Sequence, residues 1–160
     1  MATKHVTIDA SVIVSICALE PQKYEVADSA LQDYAQNQFE CHAPAVVVAE
    51  VFHALCRKLK VDHSLNSVQY RSAILDFESM MAVIQLHPQG DVPMITRASA
   101  LLGARGCQLS NDAIYLALTE HLKTSGDAEI VTFDAGIREH AAALAPGITV
   151  NLLVPKVTPG

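Results

Sequence analysis

The first residues able to do chemistry in this 160-residue chain stand at the end of an apolar stretch. Residues 6–8 have the character of a short strand and run directly into Asp9, with the hydroxyl of Ser11 two places on. The apolar residues 12–19 that follow predict a buried helix. In open α/β sheets, ligands bind in the crevice beyond the carboxyl ends of the strands. Asp9 is therefore a candidate functional residue.

Two further aspartates occupy comparable positions. Asp134 follows the predicted strand 129–133, and Asp112 lies in the first turn of a helix that Ser110 and Asn111 open. Aspartate is a favoured residue at a helix N-terminus, where the helix dipole stabilises its charge. Taken singly, each of these acids is explained by helix capping.

Glu50 is harder to explain by capping. It lies within residues 45–55, a predicted helix that is apolar nearly all round and is therefore expected to be buried on most sides. An unpaired buried carboxylate is costly. We expect Glu50 to have a cation beside it, which would be a histidine, a lysine or arginine from elsewhere, or a metal ion.

Acids gathered at strand ends repel each other unless a divalent cation lies between them. Mg²⁺ and Mn²⁺ prefer oxygen ligands of this kind, and a pair of such ions can promote phosphodiester cleavage. A di-iron site is not predicted, because Glu50 and His53 form a single ExxH pair without a second copy. Zinc is not predicted, because the other histidines lack metal-binding spacing. The acids alone make a metal-dependent nuclease chemically reasonable.

Short apolar strands alternate with helical patterns along the whole chain. This order predicts one domain, residues 1–160, with an α/β fold: a three-layer α/β/α sandwich around a mostly parallel sheet of about five strands. Pro44 is expected to be the first residue of its helix, and Asp91 to cap the helix that follows it. The predicted strands are 6–8, 39–43, 81–86, 129–133 and 148–153, and the predicted helices are 10–19, 25–38, 44–60, 64–81, 91–102, 110–126 and 134–144.

The composition fits a compact protein of the reducing cytoplasm. Hydrophobic residues make up 51% of the chain and charged residues 18%, with a net charge of −6 that argues against a general nucleic-acid coat. The four cysteines have no paired CxxC spacing, and three of them, Cys17, Cys41 and Cys56, lie in apolar stretches that predict buried thiols. No apolar run approaches the length needed to span a bilayer.

Taken together, these acidic segments resemble a PIN domain, most closely the VapC-like ribonuclease toxins of toxin–antitoxin pairs. The resemblance runs from residue 6 to residue 154, and the four segments together are more specific than any one of them. They are Asp9 with Ser11, Glu50 in a helix begun by Pro44, Asp112 within residues 110–117, and Asp134 within residues 131–134.

The resemblance implies a pocket that holds one or two Mg²⁺ or Mn²⁺ ions and hydrolyses RNA endonucleolytically. Ser11 and Thr132 match polar positions that support the acids through hydrogen bonds, and Ser110 is expected to help position Asp112. By that resemblance, four acids would be both the metal ligands and the catalytic residues: Asp9, Glu50, Asp112 and Asp134.

Partners follow from the same resemblance. The substrate would be RNA, and the weak candidates for contacts with its phosphates are Arg57, Lys58 and Lys60, each of which is more simply a solvated helix-end charge. Family members commonly form homodimers and are neutralised by a small antitoxin. The groove of this chain that binds the antitoxin would involve the predicted helices 10–19, 25–38 and 44–60.

Two alternatives stay open at this point. The same fold could be a non-catalytic interaction module whose acids serve only capping and folding. A metal-dependent phosphatase on another α/β fold is weaker, because residues 9–11 lack an Asp-x-Asp motif.

Overall fold

The computed structural model describes residues 3–107 and 111–157. Five strands are present within these residues: β1 (Thr3–Ile8), β2 (Phe39–Ala43), β3 (Gln85–Leu86), β4 (Gly126–Thr132) and β5 (Thr149–Leu152). Seven α-helices accompany them in this part of the chain: α1 (Ala10–Cys17), α2 (Tyr24–Gln36), α3 (Val47–Lys60), α4 (Ser67–Met81), α5 (Ile95–Ala104), α6 (Asp112–Leu122) and α7 (Ala135–Leu144). A single 3₁₀ turn, Val92–Met94, leads into α5.

All strand pairs are parallel, in the order β3-β2-β1-β4-β5. The chain steps from β1 to β3 in one direction, then crosses back to β4 and β5 in the other. Because crossovers between parallel strands are right-handed, α1–α4 lie on one face of the sheet and α5–α7 on the other. The predicted α/β fold with a five-stranded parallel sheet is confirmed.

Burial alternates along the central strands, as a sheet covered on both faces requires. Val6 and Ile8 of β1 point to one face and Thr7 to the other, and all three are buried. On the second face, the Thr119 hydroxyl of α6 donates to the Thr7 hydroxyl oxygen at 2.8 Å. The sheet is therefore packed against a helix layer on each side. Within the described residues, no helix has the length and apolar character needed to cross a membrane.

Several predicted boundaries are wrong. Strand β3 covers two residues rather than 81–86, because α4 ends at Met81 as predicted and a turn at residues 82–84 separates it from β3. Helix α4 begins at Ser67, since the Asn66 side chain caps it and Gln69 bonds back to the Asn66 amide. Strand β4 begins at Gly126, earlier than predicted, and a Cβ there would lie 2.0 Å from the Thr3 carbonyl oxygen. Only glycine fits this close approach of β4 to β1.

The cysteines are less buried than the sequence predicts. Cys17 is buried, Cys41 is half-buried, and Cys56 is exposed on the outer side of α3. All four cysteines, including the exposed Cys107, are free thiols.

Asp91 does not cap its own helix. Its two carboxylate oxygens accept hydrogen bonds from the amides of Ala45 (2.6 Å) and Val46 (3.0 Å), just ahead of α3. Pro44 is likewise not the first helical residue, because residues 44–46 form a turn and α3 begins at Val47. Asp91 thus supplies the capping carboxylate that α3 lacks in its own sequence.

Replacing Asp91 by alanine should lower the free energy of unfolding by about 1–2 kcal/mol, because two amides at a helix N-terminus lose their acceptor. Urea denaturation measures the change. The control is Asp62→Ala, which removes an exposed acid paired with Arg57 and should change stability by no more than about 0.5 kcal/mol. Equal effects of the two substitutions would contradict this role of Asp91.

Candidate functional site

The fold collects the four predicted acids at one edge of the sheet. Asp9 directly follows β1, and Asp134 comes two residues after β4, the strand beside it. Helices α3 and α6 also start from this edge, with Glu50 and Asp112 in their first turns. The direction of the strand order changes between β1 and β4, which is where ligands bind in open α/β sheets.

Asp9 is the most buried of the four, with 7% of its surface exposed. It is the N-cap of α1, and its Oδ2 accepts hydrogen bonds from the Ser11 amide (3.2 Å), the Ser11 hydroxyl and the Thr132 hydroxyl (2.9 Å). Burial raises the pKa of Asp9, the hydrogen bonds from Ser11 and Thr132 oppose that rise, and the charge of Glu50 adds to it. The carboxylate is thus held by hydroxyl groups from two neighbouring strand ends.

Those hydroxyl groups also bind the loop after β4. Thr132 Oγ1 accepts from the Asp134 amide at 2.8 Å, and Ser11 Oγ accepts from the Phe133 amide at 3.1 Å. Each hydroxyl therefore donates to Asp9 and accepts from the backbone that leads to Asp134. The structure places both predicted supporting residues between two of the acids. The third, Ser110, lies outside the described residues.

Asp134 and Asp112 differ in exposure. Asp134 is exposed and caps α7, where its Oδ1 accepts from the Gly136 amide at 2.7 Å. Asp112 is three-quarters buried, and its Oδ2 lies 3.2 Å from Nδ1 of His140 on α7. Burial, followed by the charge of Asp134, raises the pKa of Asp112 to about 6, with Asp9 adding to the rise and His140 opposing it.

Glu50 is held by neutral donors. Its Oε1 accepts a hydrogen bond from the side-chain Nδ2 of Asn111 at 2.6 Å, and its Oε2 accepts one from the Tyr115 hydroxyl at 2.5 Å. The expectation that α3 is buried on most sides is wrong, whereas a metal ion as the cation beside Glu50 stays a prediction. Helix α3 buries one stripe, formed by Val47, Val51 and Leu55, and Glu50 is only half-buried.

Tyr115 connects Glu50 to the other acids. The residue is buried, and burial together with the negative charges of Asp9 and Glu50 raises the pKa of its hydroxyl. The phenol therefore stays protonated and donates to Glu50. The four acids are close enough to influence each other's ionisation in three pairs: Asp9 with Glu50, Asp9 with Asp112, and Asp112 with Asp134.

Sequence reasoning missed three residues of this site, Asn111, Tyr115 and His140. Asn111 is one position before Asp112, and Tyr115 is three positions after it, so their places in the predicted helix would have put both near Asp112. His140 is six residues after Asp134 and carried no sequence signal. Its position depends on how α7 packs beside α6.

The basic residues proposed for RNA lie away from this edge. Arg57, Lys58 and Lys60 occupy the last turn of α3, about 10–15 Å along the helix from Glu50 at 1.5 Å per residue. The Lys58 ammonium binds Glu20 at 2.6 Å, and Arg57 lies 3.5 Å from Asp62. These contacts fit their simpler interpretation as helix-end charges.

The fold and site define a class: a parallel α/β domain with carboxylates at the switch point of its sheet. A family model described as PIN domain matches residues 6–145. The chain belongs to the PIN domain family, so a phosphatase on another α/β fold loses its support.

Among solved structures, the chain is similar to one in the crystal structure of VapBC2 from Rickettsia felis bound to a DNA fragment from their promoter. The TM-score is 0.63 at 11% sequence identity, with 93% of this chain and 98% of that chain covered. At this identity the likeness concerns the fold alone. No curated protein sequence matches the chain.

The raised pKa of Asp112 makes the stability of the metal-free protein depend on pH. Its pKa is about 6 in the folded state against an ordinary 3.8, so between these values the folded state binds more protons. The free energy of unfolding therefore falls as the pH rises through this window. Asp112→Asn should remove this loss. Without metal, the variant's gain in the free energy of unfolding over wild type should therefore be larger at about pH 7 than at about pH 4, by on the order of 1–3 kcal/mol.

Thermal or urea unfolding at several pH values measures this difference. Asp62→Asn serves as the control, because it removes an exposed acid that lies away from the acidic edge. A stability difference between wild type and Asp112→Asn that stays constant from about pH 4 to about pH 7 would contradict the raised pKa of Asp112.

Proposed function

We propose that this chain is a divalent-metal-dependent endoribonuclease and the toxin of a type II toxin–antitoxin pair. The observation that carries the proposal is the convergence of Asp9, Glu50, Asp112 and Asp134 at the switch point, with burial and mutual repulsion raising the pKa of Asp9 and Asp112. Membership of the PIN domain family supports a nuclease of this kind.

The donor set fits Mg²⁺ or Mn²⁺. All four proposed ligands are carboxylates, and hard divalent cations prefer oxygen ligands. A cation placed among the acids would offset their repulsion, which adds to the larger effect of burial in raising the pKa of Asp9 and Asp112. Among the described residues, the hydrogen bonds to the Asp9 carboxylate all reach Oδ2, which leaves Oδ1 for a metal ion.

The other side chains of the site hold these ligands in place. Ser11 and Thr132 fix the orientation of Asp9, while Asn111 and Tyr115 each donate to one oxygen of Glu50. His140 holds Asp112 from the α7 side. When bound, the metal ion would supply an activated water and charge stabilisation at the scissile phosphate of a single-stranded RNA.

The toxin assignment draws on the fold and on exposed apolar surface. The similar structure is of VapBC2 bound to a DNA fragment from their promoter, and it supports an antitoxin as the proposed partner of this chain. Helices α3 and α4 expose Phe52, Val68 and Leu75, which are suited to burial against an antitoxin or a second copy in a homodimer. A ribonuclease toxin of this kind would act in the cytoplasm.

One observation favours a second candidate function, a non-catalytic interaction module. Asp9 and Asp134 are both N-caps whose side chains accept hydrogen bonds from backbone amides, so helix capping accounts for part of their presence. Capping does not account for Glu50, whose partners are the side chains of Asn111 and Tyr115. The two functions differ in whether the site binds a divalent ion and cleaves RNA.

Cleavage of a fluorescent single-stranded RNA tests the proposal directly. Wild type should cleave it with Mg²⁺ or Mn²⁺ and lose activity with a chelator. Asp9→Asn and Asp112→Asn should each lower the rate by about 100-fold or more, because a metal contributes several kcal/mol to stabilising the transition state. Asp62→Asn removes an exposed acid at the far end of α3 and should cleave like wild type. Unchanged cleavage by Asp112→Asn would exclude this site as the catalytic one.

Calorimetric titration of Mn²⁺ separates the two candidate functions even when the RNA target is not found. The nuclease proposal expects saturable binding to wild type and Asp62→Asn, with at least about tenfold weaker binding to Asp112→Asn. Absence of Mn²⁺ binding at millimolar concentration in the wild type would favour the interaction module.

A further inference from the structure

A second group of metal-ligating side chains lies at a different place in the sheet. His5 of β1 and Glu40 and His42 of β2 point to the face covered by α6, because the register pairs His5 with Glu40 and Thr7 with His42. Within the described residues, these three form the one set of His, Cys, Asp or Glu side chains whose ligand atoms all lie within 4.8 Å of one another. His5 precedes Asp9 by four residues, which is about 13 Å along a strand.

The spacing of the three ligand atoms matches one face of a tetrahedral metal site. His5 Nδ1 lies 3.1 Å from His42 Nε2, Glu40 Oε2 lies 3.4 Å from His5 Nδ1, and Glu40 Oε2 lies 3.6 Å from His42 Nε2. In a tetrahedral zinc site with metal–ligand distances of about 2.0–2.1 Å, neighbouring donors are about 3.3 Å apart. Little movement is needed for the three atoms to share one ion.

The other ring nitrogen of His5 is already fixed. The Ser125 hydroxyl donates to the Leu122 carbonyl oxygen at 2.9 Å, so its oxygen is left to accept from His5 Nε2–H at 3.2 Å. That hydrogen bond puts the proton of a neutral His5 on Nε2 and leaves the lone pair on Nδ1, which faces Glu40 and His42. Such an outer partner is the usual way in which proteins orient a metal-binding histidine.

Burial and access also suit a metal. His5 and His42 are 5% and 9% exposed, while the Glu40 side chain is 45% exposed, so solvent reaches its carboxylate. A cavity of about 210 Å³ reaches His42, and its wall includes His87 and His121, whose rings lie 5.5 Å apart. Four of the seven histidines of the chain therefore surround one corner of the fold.

We propose that His5, Glu40 and His42 bind one Zn²⁺ ion, with a water or other external ligand in the fourth position. Two imidazoles and one carboxylate suit zinc better than Mg²⁺ or Mn²⁺, for which the all-oxygen edge is the better site. The ion links β1 to β2 on the α6 face and stabilises the folded chain. It is separate from the proposed catalytic acids, so neither proposal depends on the other.

Calorimetric titration of Zn²⁺ into the metal-stripped chain tests the site. Wild type should bind about one equivalent, and Glu40→Gln and His42→Gln should each weaken that binding by at least about tenfold. His53→Gln, which removes an exposed histidine of α3, is the matched control and should bind like wild type. Asp112→Asn should also keep the zinc site, because it alters only the carboxylate edge.

Thermal unfolding with and without Zn²⁺ provides a second readout, and the melting temperature of wild type should rise more than that of Glu40→Gln. Glu40 is exposed enough for its glutamine variant to fold, so the test remains decisive even if His42→Gln unfolds. Equal zinc affinity in wild type and Glu40→Gln would overturn the proposal. So would zinc binding that is lost in Asp112→Asn and kept in His42→Gln.

Discussion

Repulsion among carboxylates at one sheet edge is the constraint to which much of this structure responds. Parallel strands and the helices between them bring Asp9, Glu50, Asp112 and Asp134 to the same edge, where partial burial strengthens each charge's effect on the others. The fold offsets the repulsion with donors: hydroxyls for Asp9, an amide and a phenol for Glu50, and an imidazole for Asp112. A cluster organised in this way is suited to a cation.

The fold was largely predictable from sequence, since alternating strands and amphipathic helices leave few arrangements other than a parallel sheet. The errors lie where the deciding partner is distant in sequence. Nothing around Pro44 shows that Asp91 supplies the cap of α3, and nothing in residues 81–86 shows that β3 covers only Gln85 and Leu86. Local patterns predict that an element exists, whereas contacts between elements decide where it ends.

The candidate site shows the same division. The positions of Asp9 and Asp134 after strands could be predicted, because their neighbours in sequence define the strand ends. The environment of Glu50 could not, because the apolar pattern of α3 indicates burial all round while the structure buries one stripe and leaves the opposite side exposed. His5 and His42 are 37 positions apart, and only the register of β1 against β2 makes them neighbours.

The hydrogen bonds at the site also constrain the order in which it can form during folding. Asp9 is bonded to Thr132, 123 positions later, and the start of α3 depends on Asp91, 46 positions after Ala45. Contacts of such long sequence separation form only after their intervening loops have closed. A chain still being synthesised cannot assemble the acidic edge before Thr132 and Asp134 have emerged from the ribosome. A nascent copy of this protein would therefore have no complete site until that point of its synthesis.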